Sequence, residues 1–209
     1  MIKKIFKFYA LNMRLLYRPI DGFHRMKFEK EGTLRMAFLN FLLVCVSYAF
    51  FNQFTSILVN QDHPHWSNSL WDTITIFAVL VLFCISNWAV TSLTDGEGKF
   101  KEIFMTVCYA MTPLVLILIP ATLFSNVITM QETGFFNLLV GIGIGWFVLL
   151  VFIGLIVIHN YGVFKAVATV IFTFVALMII LFLITLFFSL IQQLYVFINS
   201  IYREVTFRM

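Results

Sequence analysis

Ser86 to Pro113 reads SNWAVTSLTDGEGKFKEIFMTVCYAMTP, and the reading of this stretch decides the fold. It is the end of one apolar segment, a polar turn from Thr94 to Glu102, and the start of a second apolar segment. Asp95-Gly96-Glu97-Gly98 is a strong turn signal, because two glycines permit positive φ and the carboxylates are placed to cap the next helix. Lys99, Lys101 and Glu102 make it a charged hairpin between two apolar helices. Tyr109 and Pro113 stand one turn apart in the second of these, where a proline bends the helix.

Outward from the hairpin the chain is greasy throughout. Of 209 residues, 61% are hydrophobic and 11% charged, with 26 phenylalanines, against roughly 25% charged in an ordinary soluble domain. A water-soluble fold of this size cannot hide that much apolar surface, so lipid is its solvent. Segments of membrane-spanning length cover about 34–59, 70–93, 104–124, 135–158 and 167–190, each near the ~20 residues that cross ~30 Å of hydrocarbon. The fold class is therefore an all-α polytopic membrane protein with five transmembrane helices. Residues 1–33 precede this bundle (34–190), and residues 191–209 follow it as an amphipathic tail that extends the fifth helix or lies along the outer interface.

The net charge of +4 is not spread as a nucleic-acid surface would be, since nine of the fourteen Lys and Arg fall in the first 35 residues. With the N-terminus inside, the inner pieces carry twelve basic residues and the outer ones only Arg203 and Arg208. The positive-inside rule then makes the N-terminus and the hairpin cytoplasmic and the C-terminus external, and the expected location is the plasma (inner) membrane. Residues 1–18 form a basic amphipathic helix too polar to span. Ile2, Ile5, Phe6, Tyr9, Met13 and Leu16 recur at helical spacing, with Lys3, Lys4, Lys7, Arg14 and Arg18 as the basic set. Such a helix suits anionic inner-leaflet lipid, or packing on its own bundle, and the two are compatible. Pro19 to Phe23 reads as a turn, followed by a charged link from His24 to Thr33.

Chemistry is sparse. There is no metalloprotease, serine-hydrolase or phosphate-loop motif, so the chain reads as a non-enzyme without a cofactor. The turn Asp95–Gly98 lacks the ligand count of a calcium loop, and His63-Pro64-His65 lacks a third zinc ligand. Cys45, Cys84 and Cys108 sit in apolar segments as small hydrophobes. Asp72 and His159 lie at helix ends, and mid-membrane positions carry no ionisable group, which disfavours a coupled transporter. Gly141 and Gly145 form a GxxxG pair suited to close helix approach, read first as packing inside the bundle and second as a contact between subunits.

The order of these features resembles the Yip (Ypt-interacting-protein) domain family in its bacterial form. The matching residues are Pro19-x-x-Gly22-Phe23, Ser86-Asn87, Asp95-Gly96-x-Gly98 with Phe100 following, and Tyr109-Ala110-x-x-Pro113. The Asp-Leu-Tyr-Gly-Pro stretch of eukaryotic members is missing, so no small-GTPase partner is carried over. The resemblance implies a non-enzymatic accessory or scaffold protein acting on another integral membrane protein. Relatives accompany sugar-importer genes, so the partner class that the resemblance implies is a permease subunit of an ABC transporter. On this reading Asp95, Gly96, Gly98, Lys99, Phe100, Lys101, Tyr109, Pro113, Gly141 and Gly145 are the candidate partner-binding residues. The alternative is a transporter or channel component that conducts a solute through its own bundle.

Overall fold

The computed structural model describes residues 2–56, 59 and 68–207, with backbone only for 2–8 and 205. His63-Pro64-His65 and Arg208 lie outside the described residues, as do the side chains of Lys3, Lys4 and Lys7. The described chain is helical: α1 (Ile2–Tyr17), α2 (Pro19–Phe28), α3 (Leu34–Phe54), α4 (Ser69–Leu93), α5 (Phe100–Ala110), α6 (Thr112–Ser125), a 3-10 turn (Met130–Glu132), α7 (Thr133–His159) and α8 (Val163–Phe207). Five stretches are long and apolar enough to cross a membrane: Leu34–Phe54, Ser69–Leu93, Phe100–Ser125, Met130–His159 and Val163–Glu204.

The expected turn and link at 19–33 is largely a helix. Pro19 opens α2, where a missing N–H costs nothing and φ is already helical. Asp21 in the first turn and Arg25 and Lys27 in the last complement its dipole. Gly22 is there for contact, since a Cβ would lie 2.7 Å from Leu15 Cδ2. The α1–α2 hairpin closes on that contact.

The third span is also not one bent helix. It breaks at Met111, and Pro113 stands in the first turn of the new helix α6. Proline cannot donate to the carbonyl one turn back, and in lipid a freed carbonyl needs another partner. The Thr112 hydroxyl donates to Tyr109 O at 2.6 Å, and Asn40 Nδ2 on α3 donates to Cys108 O at 2.7 Å. Asn40 also donates to Thr112 Oγ1 at 3.2 Å, and Asn12 of α1 lies 3.4 Å from that hydroxyl. The break is thus held by side chains from two other helices.

Around this break α5 is the central helix, and Ile103 to Ala110 are all buried. It packs against α3, α4 and α7, while α6 lies between α3 and α7. Leu15, Phe23, Phe41, Tyr109 and Leu150 are among the largest fully buried side chains of this core. In lipid such packing acts by close contact and dispersion rather than by escape from water. Helix α8 packs on α4 and α7 only near its start, through Ala166, Thr169 and Thr173. Its 45 residues run past residue 190 without interruption, a length of about 67 Å against ~30 Å of hydrocarbon. The tail at 191–207 is therefore an extension of the fifth span.

Candidate functional site

The hairpin read from the sequence closes the end of the bundle that carries α1 and α2. Helix α4 stops at Thr94, and Asp95 takes the left-handed conformation with φ of 53°. The Gly96 N–H then returns to Thr91 O at 2.8 Å, satisfying a last-turn carbonyl. Neither Gly96 nor Gly98 has positive φ, so the conformational reason given by the sequence does not hold. They are glycines because the turn at the end of α7 lies against them. A Cβ on Gly96 would sit 2.6 Å from Tyr161 Oη and 2.7 Å from His159 Nδ1. On Gly98 it would sit 2.6 Å from both His159 Cε1 and Ile158 Cγ2.

That close approach builds a directed hydrogen-bond chain. Gly98 N–H donates to His159 Nδ1 at 3.3 Å, so this nitrogen carries no proton. The proton is then on Nε2, which donates to Asn87 Oδ1 at 3.2 Å. Asn87 Nδ2 donates to Thr173 Oγ1 at 3.1 Å, and that hydroxyl donates to Thr169 O at 2.7 Å. His159 is a neutral, 1% exposed linker of α4, α7, α8 and the hairpin. Tyr161 stacks on it with centroids 5.3 Å apart and donates from its hydroxyl to Thr94 O at 3.0 Å. Lys27 of α2 closes the other side, donating to Ile158 O at 2.7 Å and pairing with Glu97 at 3.3 Å. Its position at the C-terminal carbonyls of α7 suits both the open acceptor and the helix dipole.

The remaining candidates fall in three places. Lys99, Phe100 and Lys101 form an exposed rim, with Phe100 edge-on to Trp88 at 6.4 Å. Of the hairpin carboxylates only Glu102 caps the following helix, accepting the Lys99 N–H at 3.1 Å; Glu97 instead pairs with Lys27, and Asp95 is exposed. Tyr109 and Pro113 are buried at the α5–α6 break, away from the rim. Gly141 and Gly145 are exposed on α7 with nothing within 4 Å of an added Cβ, so internal packing is not their role. Gly143 and Gly154 do that work, against Ile117 and against Thr106 and Phe23. Arg14 pairs with Asp21 at 3.8 Å, and Arg18 is exposed at the α1–α2 corner.

Sequence reasoning placed His159 only at a helix end and missed Tyr161, Lys27, Asn12 and Asn40 as partners. The available signal was a His-Asn-Tyr-Gly turn (159–162) and single polar residues inside apolar runs. Among the described residues no cluster of His, Cys, Asp and Glu suits a metal, and the three cysteines are free and buried.

Three of the four short motifs thus meet near one end of the bundle, with Asn87 bonded to His159, Gly98 beneath it and Phe23 against Gly154, while Tyr109 and Pro113 stand apart at the α5–α6 break. A profile of the Yip1 domain matches residues 13–200, nearly the whole chain. The chain belongs to the Yip1 domain family. No curated protein and no solved structure matches it. Within this Yip1 domain the matched region begins inside α1 and ends inside α8, so it takes in all five spans and the hairpin α2. The protein is a multi-pass membrane protein of that family.

Proposed function

We propose that this Yip1 domain protein is a non-enzymatic accessory of the plasma (inner) membrane, its N-terminus cytoplasmic and its C-terminus outside. It holds and positions another integral membrane protein, and a permease subunit of an ABC transporter is the partner class to test first. The observation that carries the reading is the contrast between a locked hairpin spine and its free rim. Gly96, Gly98 and Glu97 are tied to His159, Tyr161 and Lys27, while Lys99, Phe100 and Lys101 stay exposed. A rim held at fixed geometry loses little entropy on docking. The open glycine pair Gly141 and Gly145 supports a further contact, because small residues let a second helix come close in lipid.

The test is copurification in mild detergent followed by mass spectrometry. Lys99→Glu with Lys101→Glu should abolish recovery of a defined membrane partner while the protein stays folded and inserted. Recovery unchanged by the reversal would make the hairpin a connector only. Solute flux by the purified protein alone in liposomes would replace the accessory reading with conduction through its own bundle.

A further inference from the structure

Helix α1 has three sides, and the bundle uses one of them. Leu11 and Leu15 are 3% and 0% exposed, and Asn12 is buried beside them. The opposite side carries Tyr9, Met13 and Tyr17, and the stripe continues across the α1–α2 corner to Ile20. Their exposures are 58%, 50%, 84% and 67%. At 100° per residue this stripe lies half a turn from Leu11 and Leu15. Tyr9 and Met13 are among the apolar residues read from the sequence and stay largely outside the protein's own core, whereas Leu16 of that set packs against it. Arg14 and Arg18 stand between the two apolar sides, and in the sequence Lys3 and Lys7 precede them at spacings of four and seven.

Charge decides what covers the stripe. Nine basic residues stand in the first 35 against Asp21, Glu29 and Glu31. Asp21 is held by Arg14 and Arg25, and Glu29 by Arg25, so the acids are largely spent inside the hairpin. The surface left over is apolar and aromatic with a cationic border, on an element packed against membrane-spanning helices. Tyrosine is a residue of the headgroup boundary, where its ring is apolar and its hydroxyl wet.

We propose that the α1–α2 hairpin is a binding surface for anionic phospholipid. The Tyr9–Met13–Tyr17–Ile20 stripe lies among the upper acyl chains, and the basic residues of the hairpin, Arg14 and Arg18 with Lys3 and Lys7 of the same sequence set, engage headgroup phosphates. The inward face, Leu11 and Leu15, ties the lipid-bound helix to α5 and α2. This surface does not depend on the accessory function.

The experiment uses the full-length protein in nanodiscs of phosphatidylcholine with and without phosphatidylglycerol. Retained lipid is measured after purification from the mixture, and a spin label at Tyr17→Cys in a Cys45→Ala, Cys84→Ala, Cys108→Ala background reports depth. Phosphatidylglycerol should be enriched around the protein, and the label should be reached by oxygen and shielded from a water-soluble nickel reagent. Lys3→Gln with Lys7→Gln and Arg18→Gln should cut the enrichment by up to about a hundredfold, at about fivefold per basic residue near a charged surface. These substitutions spare the Arg14–Asp21 pair, and Arg18 makes no side-chain cap on α2, so the thermal midpoint should stay put. Equal retention of both lipids, enrichment that survives neutralisation, or a label open to the nickel reagent would each overturn the proposal.

Discussion

If contact rather than φ makes residue 98 a glycine, then Gly98→Ala is a steric perturbation that a second substitution can relieve. The alanine Cβ would stand 2.6 Å from His159 Cε1 and Ile158 Cγ2 and 2.8 Å from His159 Nδ1. Forcing such a group into a packed site costs about 1–3 kcal/mol. The shift also pulls the 98 N–H from the imidazole, a further ~1 kcal/mol. The total of about 2–4 kcal/mol corresponds to a drop of roughly 5–15 °C in midpoint for a chain of this size. His159→Ala alone leaves the Gly98 N–H and Asn87 Oδ1 without their partner, at about 1–3 kcal/mol each. The double variant has lost the imbalance between them, because two of the three close contacts on the new methyl group came from the imidazole. It should therefore be more stable than the two single losses predict, by about 1–2 kcal/mol. Thermal midpoints of the four proteins in one detergent, read by fluorescence-detected size exclusion, give the cycle. Additive losses would refute the contact argument and return the glycine to a backbone role.

The glycines of α7 should divide in the same way. Gly154→Leu drives a side chain into Thr106 and Phe23 and should lower the midpoint as overpacking does, by about 1–3 kcal/mol. Gly141→Ala meets open space and should raise it by up to about 1 kcal/mol through helix propensity; equal effects at the two sites, on the same thermal assay, would contradict the packing described. For orientation, Asp95→Cys should react with an impermeant thiol reagent from the cytoplasmic side and Arg203→Cys from the outside. Labelling of both from one face would mean an even number of crossings.

The five spans were legible because lipid imposes its demand on every segment separately. Twenty apolar residues in a row announce themselves whatever they pack against. Residues whose role depends on what lies opposite were not legible. Pro19 and Gly22 looked like a turn because both residue types punctuate chains. Proline at a helix start and glycine under Leu15 are the other physical uses of the same residues, and only the fold tells them apart. The turn signal assigns Gly96 and Gly98 to positive φ, which neither has; the contact that requires a glycine comes from His159, 61 residues away from Gly98 in sequence. Gly141 and Gly145 were read as packing residues from spacing alone, and spacing fixes a face without saying which face turns inward. The one-turn separation of Tyr109 and Pro113 did locate the bend, although the chain breaks there instead of curving.

A physical pattern connects these cases. A chain this apolar has many ways to press greasy helices together, and dispersion contacts barely distinguish among them. Polar groups distinguish them sharply, because an unmatched donor or acceptor away from water is expensive. Here the helix ends at the α5–α6 break, the hairpin and the end of α7 are each answered by a side chain from a different helix. At the α5–α6 break Asn40 takes Cys108 O. Lys27 meets Ile158 O near the end of α7, and His159 receives the hairpin N–H of Gly98. Among the described residues no buried side-chain polar atom lacks a partner. The interruptions therefore select one arrangement of the five spans, since each wrong neighbour would leave one of these backbone groups bare. Residues of the four short motifs stand at these contacts, Asn87 and Gly98 on the two ring nitrogens of His159, Phe23 against Gly154 and Tyr109 at the break, so they carry the specificity that the apolar runs lack.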